Sequence, residues 1–118
     1  MTPLELCRAE DIAEGGARGF EVRGRRVFAV RHCGRVFAYL NRCPHLGVPL
    51  EWEADQFLDA QGAYIRCSTH GALFVKETGE CIQGPCFGDF LWELACREEG
   101  GRILLDADEL PPVPVTSL

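Results

Sequence analysis

No stretch of this sequence approaches the ~20 consecutive apolar residues that a bilayer-crossing helix needs. The opening MTPLELCRAEDIAEGG has no basic segment followed by an apolar run, so no targeting peptide is expected there. Basic residues are outnumbered, 12 Lys and Arg against 18 Asp and Glu, and the pI is about 5.0. That balance lacks the basic patch of a nucleic-acid binder. No flavin or nicotinamide fingerprint occurs, and no internal repeat or low-complexity block. Histidine is scarce, at three residues. These absences exclude nucleic acid and membrane as expected partners and leave a soluble cytoplasmic protein as the expectation.

What is present is globular. The chain has 118 residues, 47% of them hydrophobic and 25% charged, which suits one domain. Thirteen glycines and seven prolines imply many tight turns and favour short strands over long helices. Seven cysteines are an odd number, which argues against a fully paired secreted framework. In a reducing compartment, clustered Cys and His read first as metal ligands.

Along the chain, Leu4–Cys7 reads as a first strand. Ala9–Glu14 reads as a short helical turn stopped by Gly15 and Gly16. Phe20–Val22, Val27–Arg31 and Val36–Leu40 follow as an antiparallel meander, with turns at Gly24 and at Cys33-Gly34. From Asn41 apolar periodicity is lost until Tyr64-Ile65, and Leu50–Leu58 is either a short helix or an ordered loop. Leu73–Val75 and Glu80–Ile82 flank a hairpin turn at Thr78-Gly79, and Gly84-Pro85 begins another irregular loop. Phe90, Trp92, Leu94 and Cys96 alternate with Leu91, Glu93, Ala95 and Arg97, the period-two pattern of one half-buried strand. Gly100-Gly101 turns into Arg102–Leu105, and the tail PPVPVTSL reads as extended.

Two of the three histidines sit in two short Cys/His motifs, Cys43-Pro44-His45 and Cys67-Ser68-Thr69-His70, with twenty-one residues between His45 and Cys67. Thiolate and imidazole suit borderline metals and iron–sulfur clusters. Two pairs on two loops can hold one tetrahedral ion or a two-iron cluster. The C-x-H spacing makes a poor zinc knuckle, because side chains two apart in an extended segment diverge from a common centre. Divergence becomes useful if each loop sends its cysteine to one iron and its histidine to another.

The motifs Cys43-Pro44-His45-Leu46-Gly47 and Cys67-Ser68-Thr69-His70-Gly71 resemble the two halves of the Rieske motif. The surrounding RVFAYLNRCPH, HGALFVKETGEC and Gly84-Pro85, where the family carries a proline loop, extend the resemblance to soluble Rieske-type ferredoxins over residues 4–106. The resemblance implies an all-β Rieske fold, an antiparallel β-sandwich or barrel base (1–41 and 87–118) with a loop-rich cluster-binding subdomain (42–86) inserted. It implies a [2Fe-2S] cluster, with Cys43 and Cys67 on the inner iron and His45 and His70 on the outer one. It implies that Gly47 and Gly71 let the backbone run close to the bridging sulfides.

Within the family, high-potential members carry an extra cysteine in each loop, a serine after the second His-Gly and a tyrosine four residues beyond that histidine. Here those positions are Val48, Thr69, Ala72 and Phe74. Fewer donors to the sulfurs mean a potential at the low end of the Rieske range, on the order of −150 mV.

The remaining candidates read as structural. His32 is expected in a turn without a ligand role, and Cys7, Cys33 and Cys96 in or near the core. Cys81 and Cys86 flank the proline loop and are expected as reduced thiols, with a disulfide as the alternative. Trp52 and Trp92 are expected to pack, and Glu51, Glu53 and Asp55 to form a solvated acidic face. The function implied is one-electron transfer, from a flavin-dependent reductase to a Rieske-type oxygenase. The competing readings are a small Rieske subunit of an NAD(P)H-dependent nitrite reductase and a zinc-stabilised interaction module.

Overall fold

The computed structural model describes residues 3–42, 50, 55–68 and 71–110. Among the described residues ten strands run in chain order: β1 Pro3–Arg8, β2 Ala17–Val22, β3 Arg25–His32, β4 Arg35–Leu40, β5 Ile65–Arg66, β6 Leu73–Phe74, β7 Cys81–Gln83, β8 Glu93–Leu94, β9 Cys96–Glu99 and β10 Arg102–Asp106. They form three antiparallel sheets, β1-β10-β9, β2-β3-β4-β8 and β5-β6-β7. Among the described residues no helix is long and apolar enough to cross a membrane.

The central sheet explains the layering. Val27 to Val30 on β3 are all fully buried, which needs cover on both faces. Strand alternation sends Val27 and Ala29 to one side, where they pack with Ala38, Leu40, Leu94, Ile103 and Leu105. Phe28 and Val30 go to the other side, with Tyr39, Leu50, Phe57, Ile65, Cys67 and Phe74. The first core joins the central sheet to β1-β10-β9 as a sandwich. The second joins it to the loop-rich part, where the Phe28 and Phe57 rings stack at 4.5 Å. Tyr39 fastens that face further, its buried hydroxyl donating to the Lys76 carbonyl at 2.7 Å. Burial pushes its pKa well above the usual phenol value.

Most strand expectations hold, with differences. The helical turn after β1 is a 3-10 turn over Ala9–Asp11 only. Of the 50–58 segment, the described residues are not helical: Asp55 has φ 64° and Leu58 bridges Ile65. The expected strand from Phe90 to Arg97 is two strands in two sheets, β8 beside β4 and β9 beside β10. The chain crosses over at Ala95, whose N–H donates to Glu109 Oε1 and whose carbonyl accepts from the Asp106 N–H. Leu91 therefore turns inward, while Phe90 and Trp92 are more than half exposed. Trp92 is thus not a core residue; its Nε1 donates to the Glu109 carbonyl. Cys33 is not in the core either: it is exposed at the β3–β4 turn with φ 53°.

Candidate metal centre

Of the four expected ligands, Cys67 lies among the described residues; Cys43, His45 and His70 lie outside them. So do Gly47, Val48, Glu51, Trp52, Glu53 and Thr69. The residues that flank the motifs are described, and they bring the two loops together.

The first motif follows β4. Asn41 closes β4 and is anchored to β3 by its own N–H, which donates to the Arg26 carbonyl at 2.8 Å. Its side-chain Oδ1 accepts the Leu50 N–H at 2.8 Å, nine residues along the chain. Leu50 is fully buried, so the segment carrying the first motif is tied at its neck by a buried bond. The Leu50 carbonyl in turn accepts the Ser68 N–H at 2.8 Å. Ser68 follows Cys67, so the end of the first loop is bonded to the start of the second.

The second motif follows β5. Cys67 is fully buried in the apolar core that also holds Ala72, Phe74, Cys81 and Cys86. Its N–H donates to the Ala72 carbonyl at 2.9 Å, and its carbonyl accepts the Gly71 N–H at 2.8 Å. The loop from Cys67 to Ala72 is therefore closed on itself. Gly71 has φ 67°, the left-handed conformation this reversal needs and glycine adopts readily. Ala72 is backed by the proline loop: a Cβ placed on Gly84, at φ 110°, would lie 2.9 Å from both Ala72 Cα and Ala72 Cβ. Leu50 is thus bonded to Ser68 on one side of Cys67, and Ala72 meets Gly84 of the proline loop on the other.

A buried thiol on a closed turn, bonded through the backbone to a second loop of the same chemistry, fits an iron–sulfur cluster. The donor set of two thiols and two imidazoles suits the mixed ligation of a Rieske centre. One-electron chemistry is what that cluster supplies when bound. The chain's own part is to bury Cys67, hold both loops together and exclude water from the cysteine side. The other described thiols differ. Cys96 donates to the Val36 carbonyl at 3.3 Å, and burial pushes its pKa up to about 11, which leaves it an inert thiol. His32 lies 3.5 Å from both Glu77 Oε1 and Cys33 Sγ, a surface arrangement at the end of β3.

Sequence reasoning missed three contacts here, one of them made by the Gly84 it had already placed in the proline loop. Asn41 ties the first loop, Gly84 backs the second, and Asp55 is more than part of a solvated acidic face. The Asp55 carboxylate accepts the Gly19 N–H of β2 at 2.7 Å and pins the segment after the first motif to the sheet. For Asn41 the available signal is a hydrogen-bonding side chain at the point where strand periodicity stops; for Asp55 there is none.

Comparison with known proteins agrees with this geometry. The Rieske [2Fe-2S] domain model matches residues 2–98. The ferredoxin component of the alkene monooxygenase system of Xanthobacter autotrophicus is 32% identical over 110 residues, covering 92% of this chain and 84% of that protein. The ferredoxin of carbazole 1,9a-dioxygenase from Nocardioides aromaticivorans IC177 superposes with a TM-score of 0.73 at 26% identity, covering 89% of this chain and 97% of that one. A chain from a complex of reduced oxygenase and oxidised ferredoxin in carbazole 1,9a-dioxygenase shares the fold, with a TM-score of 0.71, 23% identity and coverage of 87% and 91%. With the motif loops joined through Leu50 and Ser68 over an antiparallel sandwich, and with the family model spanning most of the sequence, the chain belongs to the Rieske [2Fe-2S] domain family.

Proposed function

We propose that this chain is a soluble cytoplasmic one-electron carrier whose [2Fe-2S] cluster is held by Cys43, His45, Cys67 and His70. The cluster-binding subdomain is residues 42–86 and the base 1–41 and 87–118. The observation that carries this reading is the bond from the Ser68 N–H to the Leu50 carbonyl, which joins the two Cys/His loops beside the buried Cys67. Four protein ligands leave no open position on the metals for a substrate, so the role is transfer rather than catalysis. The partners proposed are a flavin-dependent reductase as donor and a Rieske-type oxygenase as acceptor. The similarity to a monooxygenase ferredoxin component supports the acceptor, and it favours the carrier over a nitrite reductase subunit or a zinc-stabilised module.

The test is an EPR-monitored redox titration of anaerobically purified protein. A rhombic Rieske signal that appears only at low potential is expected, and Cys67→Ser should abolish it. Zinc as the sole bound metal, with no such signal, would overturn the reading.

A further inference from the structure

The proline loop carries a second piece of sulfur chemistry, which the four proposed ligands do not use. Cys81 on β7 and Cys86 beyond Gly84-Pro85 bring their sulfurs to 2.7 Å. Both are buried, each at 1% exposure. The backbone holds them there. The Cys81 N–H donates to the Asp89 carbonyl at 2.8 Å, and the Cys81 carbonyl accepts the Gly88 N–H at 3.1 Å. The Asp89 N–H donates to the Cys86 carbonyl at 2.8 Å, and the Phe87 N–H to the Gly84 carbonyl at 3.1 Å. The loop is thus closed at its base before any sulfur chemistry occurs, which removes most of the ordering cost of joining the two sulfurs. As dithiols the pair is also satisfied, since the Cys81 thiol donates to the Gln83 carbonyl at 3.3 Å. Either redox state is therefore compatible with the same backbone. The sulfurs lie under a thin cover: residues 83–85 and 87–90 are exposed, Phe87 at 74%. A local opening of this loop would present them to a small reagent.

We propose that Cys81 and Cys86 form a reversible dithiol–disulfide pair, a thiol-modification site separate from the metal ligands, exchanging with a low-molecular-weight disulfide of the glutathione type. In the forward direction one protein thiolate attacks a sulfur of the small disulfide, whose S–S bond breaks and releases one thiol. The second protein thiolate attacks the resulting mixed disulfide and releases the other thiol. Two protein S–H groups become one S–S bond, and the small disulfide, reduced by two electrons, leaves as two thiols. The bond then locks the loop whose Gly84 presses on Ala72, the residue that accepts the Cys67 N–H. The consequence for the metal site rests on the carrier reading above; the disulfide itself does not.

The holoprotein is equilibrated in glutathione buffers from fully reduced to fully oxidised, acid-quenched, alkylated with N-ethylmaleimide while denatured, and peptide-mapped. In oxidising buffer the peptide holding Cys81 and Cys86 should escape alkylation and be lighter by two hydrogens. Dithiothreitol should restore both alkylation sites. Amide exchange over residues 67–74 should slow by roughly threefold or more on oxidation. Both thiols alkylated across the whole buffer series, or a linkage to Cys67 or Cys96 instead, would overturn the proposal. Formation of the bond without any change in exchange would overturn the locking role. Cys86→Ser should abolish the linkage and Cys96→Ser should leave it; should either variant fail to fold, mapping of the wild-type protein decides alone. The mapping reads sulfur whichever metal is bound, so it and the EPR titration can fail independently.

Discussion

Asn41→Ala removes a side-chain acceptor whose donor has no access to water. The Leu50 N–H now given to Asn41 Oδ1 at 2.8 Å belongs to a residue with no exposed surface, so solvent cannot replace the lost oxygen. An unsatisfied buried donor costs roughly 1–3 kcal/mol. The neighbouring bond, from the Ser68 N–H to the Leu50 carbonyl, survives the change, so the loops should stay together while the neck loosens. With about 1.4 kcal/mol per factor of ten, the equilibrium for opening the neck should rise by roughly 5- to 150-fold. Two assays read this. Amide exchange at Leu50 should accelerate by that factor, and release of iron to a chelator, followed by the loss of visible absorbance, should accelerate in parallel. Asn41→Asp keeps an oxygen in the same place and should retain more of the Leu50 protection than Ala does. Wild-type rates in both assays for Asn41→Ala would refute the view that this one buried bond closes the loop.

Gly84→Ala combines an unfavourable φ of 110° with a Cβ 2.9 Å from Ala72. Strain and overpacking of about 1–3 kcal/mol each should lower the urea midpoint, and adding Ala72→Gly should restore only a part of the loss, since it removes the contact with Ala72 Cβ but leaves that with the backbone Cα and the strain. Glu14 accepts the Gly34 and Cys33 N–H groups of the β3–β4 turn, which hold its pKa below the ordinary 4.5, the Gly34 bond first. A lowered folded-state pKa stabilises above the unfolded value and is lost as pH falls through the folded one. Glu14→Gln should therefore cost stability at neutral pH and show less further loss than wild type on acidification below 4.5, as compared by urea unfolding at the two pH values. His45→Cys should keep two irons but replace a neutral ligand by an anion, moving the midpoint toward the about −400 mV of all-cysteine plant-type ferredoxins. An unchanged midpoint, measured by EPR titration, would remove His45 from the ligand set.

The sequence was most legible where the chemistry is local. β1 to β4 were found within a few residues because glycine-marked turns separate runs of alternating apolar residues. The Cys/His motifs stand out in the sequence because few other residue types can ligate soft metals, and the spacing restricts what they can share. The Phe90–Arg97 segment misled for the opposite reason. Its alternation is genuine, but the chain leaves one sheet for another at Ala95, and Leu91 rather than Phe90 or Trp92 is buried. Which apolar residue faces the core depends on the partner strand, and that partner is more than fifty residues away, at Ala38 and Tyr39. The contacts of Asn41, Asp55 and Gly84 were missed on the same ground. Each acts on a residue of another segment, and nothing in their local sequence names it.

These long-range contacts form one chain of supports. β3 holds Asn41, Asn41 holds Leu50, Leu50 holds Ser68 beside Cys67, Cys67 holds Ala72, and Ala72 rests against Gly84 in the loop of the cysteine pair. Among the described residues these loops contain little regular structure, so each support has few parallel alternatives. Sites in contact through such a series are expected to couple by about 0.5–3 kcal/mol, whereas independent sites add. Loosening the neck by Asn41→Ala should therefore matter more when the Cys81–Cys86 pair is reduced than when it is oxidised, because the disulfide stiffens the far end of the same series. Iron release from Asn41→Ala and wild-type protein, each in oxidising and reducing glutathione buffer, measures that coupling directly. Strict additivity would mean that the base holds the two ends separately, and that this series of contacts is contiguous without being mechanically one.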